Sequence, residues 1–203
     1  MQPPTASPRS MSAWRHLPNA ISVLRIVLVV PVGLAIEAGC FRLALVLAVV
    51  AGVSDGVDGW LARRFGWRSH LGGVLDPVAD KLLLVTCFVL LAWTGDAPLA
   101  LTALVLARDL VIALGALAWY RVIGHFRAQP SWISKCCTTV QILYVLAVLV
   151  HRSGWLAGMP LTPWAWLVVI FTVASGLDYI VHWGWLARRE LVARKNGGSG
   201  HES

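Results

Sequence analysis

The chain has 203 residues, of which 58% are hydrophobic and 13% are charged, and its mean hydropathy is +0.71. Soluble domains contain about 45–50% apolar and about 25% charged residues, so this composition excludes an ordinary water-soluble globule. Intrinsic disorder is excluded because it requires low hydrophobicity. The four cysteines are too few for a disulfide scaffold, and their spacing matches no zinc site. The composition is that of an integral membrane protein.

Six apolar runs, each long enough to cross a bilayer as a helix, follow one another along the chain. They occupy residues 18–37, 41–62, 74–94, 98–120, 133–151 and 163–187. The Pro- and Ser-rich residues 1–13 predict a disordered N-terminal tail, and residues 195–203 predict a flexible C-terminal tail. We therefore expect an all-α integral membrane protein in which six transmembrane helices form one domain over residues 14–194.

The distribution of positive charge predicts which way the helices face. With six spans, both termini and the second and fourth loops share one side, which carries twelve of the 17 lysines and arginines. The opposite side carries two, Arg42 and Arg152. Because cytoplasmic loops are enriched in Lys and Arg, both termini are expected in the cytoplasm. The net charge of +7 then faces anionic lipid headgroups and does not indicate a nucleic-acid partner.

Four aspartates are placed where a membrane helix does not normally carry them. Asp55 and Asp58 are three residues apart on the second helix, and Asp76 and Asp80 are four apart on the third, so each pair shares a helix face. An aspartate at the centre of a membrane helix costs about 2.5–3.5 kcal/mol on insertion scales, so compensation is required. The short link between these helices makes them antiparallel neighbours, and the four carboxylates can converge. Hard divalent cations such as Mg²⁺ or Mn²⁺ suit such a cluster, and two of them would support in-line phosphoryl displacement.

The residues between the aspartates fit a phosphate-bearing ligand. Gly56 and Gly59 allow a ligand to approach the helix backbone closely, and Ala62 is small for the same reason. Arg63 can bind a phosphate through two hydrogen bonds, and Gly72 opens space at the start of the third helix.

A structural alternative is that the intramembrane acids form buried ion pairs with Arg25, Lys81 and Arg108. This alternative suits Asp109, which neighbours Arg108, and the isolated Asp178. It does not explain two acid pairs in helical phase with glycines between them. A membrane transporter or ion channel that uses intramembrane carboxylates as a relay is the alternative from another functional class.

Residues 55–80 resemble the signature of the CDP-alcohol phosphatidyltransferase family without a gap. The matching positions are Asp55, Asp58, Gly59, Ala62, Arg63, Gly72, Asp76 and Asp80. Three further segments resemble the phosphatidylglycerophosphate synthase and cardiolipin synthase branch of that family. They are residues 17–25 with Leu-Pro-Asn and Arg25, Ala107-Arg108-Asp109, and residues 131–141.

The resemblance implies a homodimeric six-helix enzyme that transfers a phosphatidyl group from CDP-diacylglycerol to an alcohol and releases CMP. It implies that the four aspartates of the signature bind two divalent cations, Mg²⁺ or Mn²⁺, and that Asp80 accepts the proton of the attacking hydroxyl. The positions expected to bind CDP-diacylglycerol are Asp58, Gly59, Ala62, Arg63 and Gly72. The expected location is the bacterial inner membrane, with the active site facing the cytoplasm and lipids as neighbours.

Two alcohols are candidates for the acceptor. Glycerol 3-phosphate is the first expectation, and Arg108 and Lys135 are the candidate ligands of an acceptor phosphate. Glycerol-3-phosphate enzymes of the family resemble one another in a Lys-x-Lys-Thr run, whereas this chain reads Lys135-Cys136-Cys137-Thr138. They also tend to place Glu where this chain has Asp109. Both differences favour the alternative, a cardiolipin synthase whose acceptor is phosphatidylglycerol.

Overall fold

A computed structural model of the protein describes the backbone of residues 17–65, 72–123, 131–156 and 158–197. Within those ranges, the side chains at 17–22, 58–63, 65, 72–77, 119–120, 122–123 and 182–197 lie outside the description. The described backbone forms six α-helices and contains no strand, which confirms the predicted all-α class. The predicted N-terminal tail lies outside the described residues.

The helices follow the predicted apolar runs and extend several of them. They are α1 Leu17–Glu37, α2 Phe41–Phe65, α3 Gly72–Trp93, α4 Leu99–Ile123, α5 Trp132–Arg152 and α6 Thr162–Gly197. Three segments of the described chain are long and apolar enough to cross a membrane, namely Leu99–Ala118, Trp132–Arg152 and Thr162–Val181. The assignment of α1, α2 and α3 as membrane spans stays a prediction. Helix α6 continues to Gly197, three residues into the predicted C-terminal tail.

The first of two compact units comprises α1, α2, α3 and residues Val145–Met159. Helix α1 packs against both α2 and α3. Its Val32 and Ile36 are fully buried, as is Phe88 of α3. Gly33 permits the close approach of α1 to α3, since a Cβ at this position would lie 3.0 Å from Cδ1 of Leu90. Helix α1 is therefore the element that α2 and α3 share within this unit.

Both arginines predicted on the non-cytoplasmic side lie in this first unit and join its turns. Nε of Arg152 lies 2.7 Å from Oδ1 of Asp96, whose other carboxylate oxygen accepts a hydrogen bond from Thr94 at 2.6 Å. Nε of Arg42 donates to the carbonyl oxygen of Ser153 at 3.2 Å. These contacts tie the start of α2 and the turn after α3 to the end of α5.

The second unit comprises Ala100–Tyr144 and the chain from Pro160 onward, which includes α6. Its interior contains several buried polar side chains. Nε2 of Gln141 on α5 lies 3.4 Å from both Oγ1 of Thr172 on α6 and Sγ of Cys137, and all three residues are buried. Intramembrane polar side chains of this kind link neighbouring helices by hydrogen bonds.

Candidate active site

The described part of the candidate site is built around Arg25 of α1. This side chain is 1% exposed, and its guanidinium contacts aspartates from two other helices. Nη2 lies 2.6 Å from Oδ1 of Asp55 on α2, and Nη1 forms an ion pair and a hydrogen bond with Oδ1 of Asp80 on α3. Since α1 packs against both helices, it places a single cation between the carboxylates of the two signature helices.

The buried ion pair considered as a structural alternative is thus present for two members of the aspartate quartet. It does not remove them as candidate metal ligands, because a carboxylate has two oxygens and each of these contacts uses one. The side chains of Asp55 and Asp80 are 41% and 46% exposed, whereas Arg25 is almost completely buried. The arginine therefore contacts the carboxylates from the protein interior while both remain accessible.

The other two predicted metal ligands have side chains outside the description. Asp58 lies in α2 with Asp55, and Asp76 lies in α3 with Asp80, so both spacings fall on continuous helix, as predicted. Among the described side chains, no group of three or more His, Cys, Asp or Glu residues could hold a metal ion. The two carboxylates that are described come from different helices, and they supply the oxygen donors that a hard divalent cation prefers.

The residues expected to bind CDP-diacylglycerol occupy α2 and the start of α3. Gly59, Ala62 and Arg63 follow Asp58 on α2, and Gly72 is the first residue of α3, but their surroundings lie outside the described side chains. Gly56 is described: a Cβ there would meet no described atom within 4 Å. Among the described atoms, none therefore blocks the approach of a ligand to the backbone at Gly56.

The candidate acceptor residue Arg108 is buried in the second unit and is held on three sides. Its Nη1 donates to Oδ1 of Asp109 at 3.0 Å, and its Nη2 donates to Oγ of Ser134 on α5 at 2.7 Å. Nη2 also donates to Oγ of Ser175 on α6. Nε of Arg108 has no hydrogen-bond partner among the described residues. Pairing of Asp109 with Arg108 agrees with the structural alternative favoured for that acid.

The second candidate acceptor ligand, Lys135, lies one residue after the Arg108 partner Ser134. Lys135 is exposed, and its ammonium lies 4.9 Å from the ring centroid of Trp132, within the range of a cation–π contact. Cys137 points elsewhere: it is fully buried, and its Sγ lies 3.7 Å from Oγ1 of Thr172 on α6. Position 137 therefore belongs to the packed interface of α5 and α6.

The sequence did not identify Ser134 and Ser175 as partners of Arg108. It offered Arg25 as an ion-pair partner of the intramembrane acids, but not which acids it contacts. Serines in membrane helices carry no specific signal, because their hydroxyls often bond the helix backbone. Arg25 did carry a signal, since an arginine within an apolar span requires a compensating acid. The sequence alone does not say which acid compensates it.

Comparison with known proteins identifies the family. The family model for CDP-alcohol phosphatidyltransferases matches residues 15–177. A cardiolipin synthase (CMP-forming) of Streptomyces coelicolor is 35% identical over 157 residues, which cover 74% of this chain and 71% of that protein. The human cardiolipin synthase (CMP-forming) is 30% identical over 89% of this chain, which spans 65% of the human protein's length. A Bacillus subtilis CDP-diacylglycerol--glycerol-3-phosphate 3-phosphatidyltransferase is 30% identical over 81% of this chain and 93% of its own length.

The match covers all four signature aspartates, Arg25 and Arg108, and it confirms the family and branch predicted from the sequence. Enzymes of this family generally depend on divalent metal ions. The chain belongs to the CDP-alcohol phosphatidyltransferase family.

Proposed function

We propose that this protein transfers a phosphatidyl group from CDP-diacylglycerol to a glycerol-type alcohol and releases CMP. The observation that carries this proposal is the convergence of Asp55 and Asp80, from two different helices, on one guanidinium. This arrangement brings carboxylates of two helices together, where they can bind the divalent cations that accompany a pyrophosphate. A family match over residues 15–177 supports the same chemistry.

Each group of site residues has a separate role in the transfer. Asp55, Asp58, Asp76 and Asp80 hold two divalent cations, Mg²⁺ or Mn²⁺. When bound, such cations neutralise the pyrophosphate charge and stabilise the departing phosphate of CMP. Arg63 binds a phosphate of the nucleotide through its planar fork of donors. Asp80 accepts the proton of the attacking hydroxyl, and Gly59, Ala62 and Gly72 leave room for the nucleotide.

Glycerol 3-phosphate is the acceptor that we propose first. Arg108 and Lys135 would bind its phosphate, since a phosphate dianion is best held by several cations. The unpartnered Nε of Arg108 among the described residues supports a role in anion binding, because a buried donor without a partner is costly. The name of the Bacillus subtilis relative supports the same acceptor.

Phosphatidylglycerol is the second candidate acceptor, which would make the protein a cardiolipin synthase. The run Lys135-Cys136-Cys137-Thr138 supports it, because the glycerol-3-phosphate enzymes of the family resemble one another in a Lys-x-Lys-Thr run and this chain has Cys137 in place of the second lysine. The names of the human and Streptomyces relatives support this acceptor.

The setting that we propose is the bacterial inner membrane, with all six helices spanning it and both termini in the cytoplasm. The active site then faces the compartment in which CTP-derived nucleotides are made. The lipid donor reaches the site from the bilayer, and the working form is a homodimer. The asymmetry of twelve cytoplasmic lysines and arginines against two supports this orientation.

A direct assay separates the two acceptors. The purified protein in detergent receives CDP-diacylglycerol and Mg²⁺ with either glycerol 3-phosphate or phosphatidylglycerol, and both CMP and the lipid product are measured. We expect phosphatidylglycerophosphate with glycerol 3-phosphate. Turnover with phosphatidylglycerol alone would replace the first acceptor by the second. Turnover with neither, but with serine or an inositol phosphate, would refute both.

A further inference from the structure

Arg25 is a buried cation of α1 that contacts side chains of two other helices, α2 and α3. Its side chain is 1% exposed within the apolar helix α1, and its two terminal nitrogens contact carboxylates of α2 and α3. An ion pair between a buried arginine and half-exposed aspartates adds little net stability, because desolvation of the arginine and screening by solvent offset the attraction. Stabilisation of the fold therefore does not account well for an arginine at this position.

The geometry of the guanidinium supplies a better reason. Nη1 and Nη2 belong to one rigid planar group, so the Oδ1 atoms of Asp55 and Asp80 are held a few ångströms apart. Without a cation between them, two carboxylates at this separation would repel each other. Lysine offers a single point charge on a flexible stem and cannot fix two carboxylates with the same directionality.

We propose that Arg25 is a positioning residue that holds Asp55 and Asp80 at the separation needed to bind the divalent cations. The inference rests on the proposed function, since it assigns Arg25 to the metal ligands of that site. The guanidinium contacts one oxygen of each carboxylate from the buried side. It thereby orients the accessible side of each carboxylate toward the metal site. Hydrogen-bond partners behind metal ligands commonly act in this way, and their loss weakens metal affinity about 10- to 100-fold.

A purely electrostatic role of Arg25 predicts the opposite change in metal affinity when the arginine is removed. The direction of that change therefore distinguishes the two roles. A fixed positive charge beside a divalent cation repels it, so a residue that only neutralised the acids would lower metal affinity. Its removal would then strengthen metal binding. If Arg25 positions the ligands, its removal weakens metal binding, because the cation must itself draw α2 and α3 together.

Mn²⁺ affinity tests the proposal without requiring turnover. The purified protein and the variants Arg25→Lys and Arg25→Met are titrated with Mn²⁺, and free Mn²⁺ is followed by electron paramagnetic resonance. We expect affinity to fall about 10- to 100-fold in Arg25→Met and by a smaller factor in Arg25→Lys. Unchanged or tighter binding in Arg25→Met would overturn the proposal.

A matched control comes from the same unit of the protein. Arg152→Met breaks another Arg–Asp pair, with Asp96, which follows the end of α3 rather than its first turns. Asp80 and Trp93 are separated by thirteen residues of α3, or about 20 Å of helix. Arg152→Met is therefore expected to lower thermal stability and to leave Mn²⁺ affinity unchanged. An equal loss of affinity in this control would show that destabilisation alone weakens the site, and would overturn the assignment to Arg25.

Two further outcomes distinguish failure of this inference from failure of the proposed function. If Arg25→Met does not yield folded protein, Arg25→Lys decides, and wild-type affinity in that variant overturns the positioning role. If the wild-type protein itself binds no Mn²⁺, the proposed function loses its metal site, and the inference falls with it. Normal binding by the wild type with unchanged binding by the folded variants refutes the inference alone.

Discussion

The ring of Tyr179 on α6 occupies the space that a side chain at Gly115 on α4 would need. A Cβ at position 115 would lie 2.8 Å from Cε1 and 2.9 Å from Cζ of Tyr179. The hydroxyl of the same tyrosine donates a hydrogen bond to the carbonyl oxygen of Ile112 at 3.1 Å. Helices α4 and α6 therefore approach each other closely at Gly115, because the ring of Tyr179 occupies the position that a side chain there would take.

Gly115→Ala is expected to destabilise the protein, since the added methyl group overlaps the tyrosine ring. Overpacking of this kind costs about 1–3 kcal/mol. The apparent melting temperature in detergent should fall by several degrees. Gly52→Ala on α2 is the control, because a Cβ there meets no described atom within 4 Å. Equal melting temperatures for Gly115→Ala and the wild type would contradict the close packing.

Asp55→Asn and Asp80→Asn should each abolish most of the activity while the protein still inserts into the membrane. Each change removes a proposed metal ligand and an anionic partner of buried Arg25. Loss of one electrostatic element of an active site costs about 10²–10³-fold in turnover, and we expect a loss of that size here. CMP release measures it. The matched control is Asp96→Asn, which breaks the ion pair with Arg152 and should retain activity. Near-wild-type turnover in either site variant would count against the quartet.

The proposed topology predicts opposite labelling of two cysteines by a membrane-impermeant thiol reagent. Arg64 is exposed near the end of α2, and Cys40 is exposed in the turn between α1 and α2. In a background without Cys136, Arg64→Cys should react only after the cytoplasmic side is opened, and Cys40 should react in intact cells. The reverse pattern would invert the orientation inferred from the charge count.

Cys137→Lys tests how position 137 bears on the acceptor. Since Cys137 is fully buried against Thr172, a lysine there must place an ammonium in the α5–α6 interface. We expect a lower melting temperature and no improvement in KM for glycerol 3-phosphate. A lost charge-assisted contact is worth roughly 1.5–3 kcal/mol, or about 10- to 150-fold. An improvement in KM of that size, with stability unchanged, would show that position 137 lines the acceptor site.

The six helices could be predicted because apolar runs of membrane length are a strong and local signal. Their ends were less predictable: α2 continues to Phe65 and α6 to Gly197, beyond the apolar runs. Helix formation depends on backbone hydrogen bonds, whereas hydropathy reports only the part that suits a bilayer. A helix can therefore extend past its membrane-compatible segment.

The candidate site was predictable where its residues lie close together in the sequence. Asp55 and Asp80 stand in one signature, so spacing was enough to single them out. Arg25 lies 30 residues before Asp55 and reaches it only because α1 packs against α2 and α3. The same holds for Ser175, which meets Arg108 across 67 positions. Contacts between distant segments follow from helix packing, which one sequence does not reveal.

Release of CMP from CDP-diacylglycerol by the purified protein is the decisive measurement of the proposed activity. It is made with Mg²⁺, with Mn²⁺ and after thorough chelation, each with glycerol 3-phosphate and with phosphatidylglycerol. Our account predicts release of CMP with a divalent ion and a glycerol-type acceptor, and none after chelation. Full activity without any divalent ion would contradict the metal role of the aspartates. Failure to release CMP under every condition would contradict the assignment as a phosphatidyltransferase.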